Sequence, residues 1–130
     1  MVFRNLIDNA IKYGGAEPAV EVDSQFVGDD RVVTRIVDNG RGIPAKLRRK
    51  IFGRFVRLGS ELERSQSGTG LGLFIVRTLV NRLQGKISVR DRVGQSGTIF
   101  EIELPARHPE PAAEKTPAAN STADRQDALR

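Results

Sequence analysis

A glycine-rich turn opens an amphipathic helix near the middle of this chain. The segment reads Gly68-Thr69-Gly70-Leu71-Gly72-Leu73 and continues directly into an apolar helical pattern. Glycine lets the backbone approach a ligand closely, and the first N–H groups of a helix lack partners inside the helix. Together with the helix macrodipole, these groups favour an anion, phosphate above all. The pattern alone is weak, because a plain helix-opening turn explains it equally well.

Amide and amino side chains share one face of the first predicted helix. Asn5, Asn9 and Lys12 are three or four residues apart, so they stack on one side of a helix. Amide oxygens can help to hold Mg²⁺, which keeps several waters and bridges to substrate phosphates. Lys12 lies one turn further along, within reach of a phosphate. A solvated helix face is the alternative interpretation.

A carboxylate stands where a predicted strand ends, in the segment Asp38-Asn39-Gly40-Arg41-Gly42-Ile43-Pro44. Aspartate and glycine are common in a tight turn after a strand, which is the simpler explanation of this segment. A carboxylate beside glycines could instead accept a hydrogen bond from an exocyclic amine such as that of adenine.

Two helices and two hairpins are predicted to position these segments. Apolar residues at helical spacing predict helices over residues 2–13 and 69–83, with Gly85 as the stop of the second. β-Branched runs around glycine-containing turns predict two hairpins. Their strands are expected at residues 19–27, 31–37, 86–92 and 98–104. This order predicts an α+β fold, a two-layer sandwich with a mixed or antiparallel sheet and helices on one face.

Three further segments have distinct compositions. A short basic helix is expected over residues 45–52, after Pro44. Residues 58–68 are polar and lack periodicity, so a long mobile loop is expected there. Residues 1–105 are therefore expected to form one domain, followed by a disordered tail over residues 106–130 that is rich in Ala and Pro.

Composition limits the classes of function. The 130 residues suffice for one core, and no apolar run approaches the roughly 18 residues of a membrane span. The absence of cysteine excludes disulfides and thiolate metal sites and fits a cytoplasmic location. The net charge is +5, with eight basic residues between positions 41 and 64. Such a cluster can face nucleic acid, an anionic partner or the phosphates of a nucleotide, and a solvated helix face and loop is the simpler alternative. Nucleic acid is the interpretation from charge alone, and it is weakened because no aromatic stacking platform is evident.

Four blocks, in this order, resemble the ATP-binding catalytic domain of bacterial sensor histidine kinases. The N box, G1 box, G2 box and G3 strand of that family match residues 5–14, 38–44, 68–73 and 94–105, and its F box matches residues 51–57. The resemblance implies the Bergerat fold, which DNA gyrase, the Hsp90 chaperones, MutL and the anti-sigma serine kinases share. It also implies a protein histidine kinase of two-component signalling that uses ATP and Mg²⁺.

The resemblance assigns the metal and the transferred phosphate to five residues. Asn9 would coordinate Mg²⁺, and Asn5 would support the metal or the phosphates. Lys12 would contact a phosphate. Arg54 and Arg57 are candidates for contacts with the γ-phosphate.

The resemblance also implies which residues contact the rest of the nucleotide. Asp38 would accept the hydrogen bond of the adenine amine, and Tyr13 would lie along the base or the sugar. Residues 58–67 would form a lid over the ATP. The other implied nucleotide contacts are Gly40, Gly42, Ile43, Phe55, Gly68, Thr69, Gly70, Leu71, Gly72 and Thr98.

One position separates the branches of this superfamily. Asn5 stands where the hydrolytic members and the anti-sigma kinases have a glutamate that acts as general base. An amide cannot usefully accept a proton near neutral pH. Transfer to a histidine, whose neutral imidazole is already nucleophilic, is therefore favoured over ATP hydrolysis.

Two departures from the family pattern keep alternatives open. The family's phosphoacceptor histidine lies on a separate upstream hairpin, whereas the only histidine here is His108 in the predicted tail. The expected partners are therefore ATP, an acceptor domain upstream or in trans and, indirectly, a response regulator, with no nucleic acid or membrane contact. The chain also starts almost on the N box, so the domain is expected to lack its first strand. A standalone anti-sigma-type regulator and an inactive ATP-binding or dimerisation domain are the alternatives.

Overall fold

The two predicted hairpins form, and they join through their second strands into one sheet. The computed structural model describes residues 1–54, 71–107 and 109. Within these ranges the helices are α1 (Val2–Tyr13) and α2 (Gly72–Arg82), and 3₁₀ turns lie at Ala45–Leu47 and Lys50–Phe52. The strands are β1 (Val20–Val27), β2 (Arg31–Asp38), β3 (Lys86–Asp91) and β4 (Thr98–Pro105).

The sheet is antiparallel throughout, with the strand order β1-β2-β4-β3. Its central pair joins strands from opposite halves of the chain, since Ile36 of β2 lies opposite Phe100 of β4. On the outer face, Arg35 donates to Glu101 at 2.9 Å, across the same strand pair. The pairing of β2 with β4 therefore brings the end of β2 next to the start of β4, some sixty residues later in the chain.

The apolar core lies between the sheet and the two helices. Its fully buried side chains are Leu6, Ile36, Val76, Val80 and Ile102. Each such side chain contributes roughly 1.5–3 kcal/mol relative to an exposed position. α1 and α2 contact each other and cover one face of the sheet. The predicted α+β two-layer architecture is therefore confirmed, and of the two sheet types expected, the antiparallel one is found.

The helix predicted over residues 45–52 was wrong in type. Backbone N–H groups there donate three residues back, as in Leu47 to Pro44 and Gly53 to Lys50, which is the 3₁₀ pattern. A stretch of eight residues is too short to stabilise an isolated α-helix, and an α-helix here would place the like charges of Lys46 and Lys50 one turn apart, where they repel.

The end of α2 also differs in detail from the prediction. Gln84, not Gly85, takes the left-handed conformation, with φ of 58°. Gly85 follows it and donates to the carbonyl of Val80 at 2.9 Å, which closes the helix end. A Cβ at position 85 would stand 2.5 Å from the carbonyl oxygen of Glu103, so glycine is required there by packing.

Two predicted segments lie largely outside the described residues. The expected mobile loop at 58–68 falls wholly outside them. So does the expected tail beyond residue 107, apart from Pro109. Within the described part of the chain, no helix has both the length and the apolar character needed to cross a bilayer.

Candidate functional site

The carboxylate of Asp38 is the centre of the best-defined polar site. It ends β2 and is only 7% exposed. Its Oδ1 accepts two backbone hydrogen bonds, from Gly40 at 2.9 Å and from Thr98 at 3.2 Å. No described residue donates to its second oxygen, Oδ2. The carboxylate is thus fixed by one oxygen, and its other oxygen has no donor among the described residues.

Glycines make this arrangement sterically possible. A Cβ on Gly40 would stand 2.7 Å from the carbonyl oxygen of Tyr13, where α1 ends against the Asp38 loop, residues 38–44. Gly97 has φ of 141°, and a Cβ there would overlap the carbonyl of Asp38. Gly42 also has a positive φ, of 79°. The loop is therefore packed backbone to backbone between α1 and the β3–β4 hairpin.

Two side chains that sequence reasoning missed hold the same loop. Ser96 Oγ donates to the carbonyl of Gly40 at 2.6 Å. Asn39 accepts from the N–H of Ala19 at 2.9 Å and donates to the carbonyl of Glu17 at 3.0 Å. The sequence signal for Asn39 is its position in a turn directly after a strand, where asparagine side chains often hydrogen-bond to the backbone. Its partners could not be identified, because they depend on the β1–β2 register.

α1 ends against this loop, and its polar face contains three of the predicted site residues. Asn5, Asn9 and Lys12 are half-buried on the helix, while Leu6 and Ala10 on the adjacent face are buried in the core. Neither asparagine amide has a hydrogen-bond partner among the residues that the structure describes. At the end of α1, the Lys12 ammonium lies 5.2 Å from the centre of the half-exposed Tyr13 ring.

The side-chain amides of Asn5 and Asn9 suit a magnesium ion whose coordination shell is completed by substrate phosphates and water. The described ranges contain no cluster of three or more His, Cys, Asp or Glu residues that could enclose a metal. Mg²⁺ commonly takes one or two protein oxygens and fills its octahedron with water and phosphate oxygens. The amide oxygens of Asn9 and Asn5, one helical turn apart, can supply such a partial set.

The N-terminus of α2 is the second candidate anion site. Leu71 precedes the helix, and the first helical hydrogen bond runs from Ile75 to its carbonyl. The N–H groups of residues 72–74 therefore have no helical partner among the described residues. Within the same part of the chain no side chain caps this end, and the first turn of α2 contains no acidic residue. Gly72 lies within the helix, with open space around its Cβ position among the described residues.

Arginines stack on aromatic rings beside α2. The guanidinium of Arg54 lies 4.7 Å from the centre of the Phe74 ring, in the first turn of the helix. Arg77 lies 5.6 Å from the ring of Phe52. An open cleft next to these pairs is lined by Arg49, Phe52, Gly53, Phe74, Arg77, Thr78 and Asn81. This cleft shares no residue with the Asp38 loop.

The structure thus brings together Asp38, Gly40, Gly42 and Thr98, with the end of α1 at Tyr13 against them. Ile43 is half-buried and packs against the core. The remaining sequence-predicted residues, Phe55, Arg57, Gly68, Thr69 and Gly70, lie outside the described residues, as does the lid expected at 58–67.

The sequence of the whole domain matches one known family. A model described as histidine kinase-, DNA gyrase B- and HSP90-like ATPase matches residues 1–108. The chain belongs to this family. The family resemblance inferred from the four sequence blocks is therefore confirmed.

Sensor histidine kinases are among the proteins that this chain resembles in sequence. The chain is 43% identical over 107 residues to the sensor histidine kinase AruS of Pseudomonas aeruginosa, covering 79% of this chain and 11% of AruS. It is 39% identical over 127 residues to the histidine-protein kinase/phosphatase MprB of Mycolicibacterium paratuberculosis, covering 95% of this chain and 24% of MprB. The chain therefore spans about a tenth to a quarter of these relatives.

Solved structures agree with this assignment. The mycobacterial sensor histidine kinase MprB superposes with a TM-score of 0.71 at 36% identity, over 79% of this chain and 68% of that structure. Full-length ShkA in complex with AMPPNP gives a TM-score of 0.69 at 30% identity, over 85% of this chain and 22% of that one. The fold is that of histidine kinase catalytic domains.

The packing at Gly97 predicts a position-specific loss of stability. Gly97→Ala should lower the free energy of unfolding by about 3 kcal/mol or more, because its Cβ would overlap the Asp38 carbonyl. Gly94→Ala is the matched control, since Gly94 also has a positive φ, of 71°, but has open space around it. That change should cost only about 1 kcal/mol. Urea denaturation of both variants measures the difference, and equal losses would contradict the packing argument.

Proposed function

We propose that this chain is the ATP-binding catalytic module of a sensor histidine kinase, which binds Mg-ATP and transfers its γ-phosphoryl group to a histidine on a separate acceptor domain. The observation that carries this proposal is the Asp38 carboxylate, buried and held by Oδ1 while Oδ2 has no partner among the described residues. Membership in the ATPase family supports the same conclusion.

Asp38 is the residue proposed to recognise the adenine base. Its Oδ2 accepts a hydrogen bond from the exocyclic amine of adenine. Guanine presents a carbonyl oxygen at the equivalent ring position, and two acceptors facing each other repel. Gly42 leaves room for the base, Ile43 packs against it, and Tyr13 lies along the base or the sugar. Thr98, buried beside Asp38, helps to hold a water there.

The residues proposed to hold the metal and the phosphates share the polar face of α1. Asn9, supported by Asn5, is the proposed protein ligand of Mg²⁺, and Lys12 is the proposed phosphate contact. When bound, the ion neutralises charge on the phosphates and orients them for in-line transfer. The N–H groups at the start of α2, which no side chain among the described residues caps, provide a further set of donors for the phosphates.

Arg54 is the described arginine best situated to assist at the γ-phosphate. Its guanidinium stacks on the ring of Phe74, a residue in the first turn of α2. A cation held there would favour the charge that spreads over the phosphoryl oxygens during transfer. Arg57 is proposed for the same role on the strength of the family resemblance alone.

The chemistry of Asn5 favours a histidine acceptor. For phosphoryl transfer, the protein chiefly positions the reactants and neutralises their charge. A neutral imidazole can attack the γ-phosphorus without a general base. Water or a serine hydroxyl would need one, and an asparagine amide cannot serve. The relatives are sensor kinases several times longer than this chain, so the acceptor domain is proposed to lie upstream or in trans. A response regulator would take the phosphoryl group afterwards.

The proposal predicts a change in base preference at Asp38. Asp38→Asn should weaken Mg-ADP binding by about 1–3 kcal/mol and narrow the preference for ADP over GDP, because the new amide donates where the carboxylate accepted. Asp23→Asn, the same change at an exposed carboxylate on the outer face of the sheet, should leave both affinities unchanged. Calorimetric titration measures them, and equal affinity of the unmodified protein for ADP and GDP would contradict the proposal.

A second prediction concerns the metal. With a supplied acceptor-helix domain and γ-labelled ATP, Asn9→Ala should slow labelling of the histidine by about 100-fold or more, because a metal contributes several kcal/mol to such steps. Binding of ADP without Mg²⁺ should change little. Asp8→Ala, an exposed change on the same helix, is the control. Transfer that survives Asn9→Ala would show that Asn9 is not the ligand.

A further inference from the structure

The guanidinium of Arg48 connects the Asp38 loop to the β3–β4 hairpin. Its Nε donates to the carbonyl oxygen of Ile43 at 3.2 Å. Its Nη2 lies 2.8 Å from Oδ2 of Asp91, at the end of β3. We refer to Arg48, Ile43 and Asp91 as the Arg48 clamp. Arg48 is the first of the two residues between the 3₁₀ turns, and its side chain lies against the loop through these contacts.

The clamp closes a ring of contacts around the site. Asp91 is paired with Thr98 in the β3–β4 ladder, and Thr98 donates its N–H to Asp38. The other oxygen of Asp91, Oδ1, lies 3.7 Å from the position that a Cβ on Gly42 would occupy. The loop is thus attached to the hairpin at Asp38, through Thr98, and again at Ile43, through Arg48.

The second attachment fixes the far side of the loop. Hydrogen bonds at Asp38 and Gly40 hold the start of the loop but leave Gly42 and Ile43 to be held by other contacts. Gly42 has a positive φ, and glycine moves easily between backbone conformations. Among the described residues, Arg48 is the side chain that donates a hydrogen bond to Ile43. The clamp therefore restricts the part of the loop proposed to face the base.

An isolated surface ion pair would not have this effect. The Asp91 carboxylate is 66% exposed, and an exposed pair contributes about 0–1 kcal/mol to stability. Arg48 differs from such a pair because its side chain is only 26% exposed and it donates to a loop carbonyl as well. Its main effect should therefore appear in the geometry of the loop more than in the stability of the domain.

We propose that Arg48 is a positioning residue of the base pocket, which sets nucleotide affinity and base selectivity by holding Ile43 and Gly42 against the β3–β4 hairpin. The inference rests on the proposed function, since its readout is nucleotide binding. Arg48 acts through Ile43 and Asp91 and does not itself contact the nucleotide.

The test is calorimetric titration of the full chain with Mg-ADP and with Mg-GDP. Arg48→Leu should weaken ADP binding about five- to tenfold and should reduce the ratio of ADP to GDP affinity. Arg48→Lys, which can reach one partner but not both, should recover part of the loss. Lys46→Leu is the matched control, because it removes one positive charge from an exposed position two residues away and should change neither value.

Asp91→Asn supplies an independent variant if Arg48→Leu does not fold. On its own it should weaken ADP binding about two- to fivefold and lower the ratio of ADP to GDP affinity. Where Arg48→Leu folds, the double variant should be no weaker than Arg48→Leu alone, since both changes break one clamp. Thermal midpoints without nucleotide establish that each variant is folded.

The outcomes separate this inference from the proposed function. If the unmodified protein prefers ADP and Arg48→Leu keeps the same affinity and selectivity, the clamp has no positioning role while the proposed function stands. Equal weakening of ADP and GDP, with additive effects of the two variants, would reduce Arg48 to a structural residue and overturn the inference. If the unmodified protein binds neither nucleotide, the proposed function and the inference both fail.

Discussion

The two backbone hydrogen bonds to Oδ1 of Asp38 are the interaction on which the rest of this site depends. A carboxylate that is almost fully buried is costly unless it is hydrogen-bonded. Gly40 provides one bond from the adjacent turn, and Thr98 provides the other from a strand sixty residues further on. The second bond exists only because β2 and β4 are neighbours in the sheet. The topology of the sheet is therefore what makes the buried acid possible.

The same constraint explains why glycine recurs around the site. The Thr98 N–H can reach Asp38 only if the preceding residue, Gly97, lies directly over the Asp38 carbonyl, where no Cβ fits. Gly40 is likewise packed on the last carbonyl of α1. These contacts connect α1, β2 and the β3–β4 hairpin through backbone atoms. A ligand seated against Asp38 would thus be close to the end of α1 as well, on whose polar face Asn9 and Lys12 lie.

Local patterns were sufficient to predict most of the architecture. α1, both hairpins and the position of Asp38 at a strand end follow from apolar periodicity, β-branched runs and turn residues, all of which act over a few residues. The resemblance of ordered blocks then predicted the family. The details that could not be predicted are tertiary contacts between different segments of the chain. The bond of Ser96 to Gly40 and the clamp of Arg48 on Ile43 join residues whose proximity is set by strand register. Likewise, Gln84 takes the left-handed conformation while Gly85 packs against β4.

The most direct test of this account is a heteronuclear NMR titration of the ¹⁵N-labelled chain with Mg-ADP. The account predicts that the backbone amides of Gly40 and Thr98 and the side-chain amide of Asn9 shift together with one dissociation constant, because they surround one bound nucleotide. The amide of Asn81, in the cleft beside α2, should shift little. Shifts confined to that cleft, with Gly40 and Thr98 unmoved at saturation, would contradict the assignment of Asp38 as the base-binding residue.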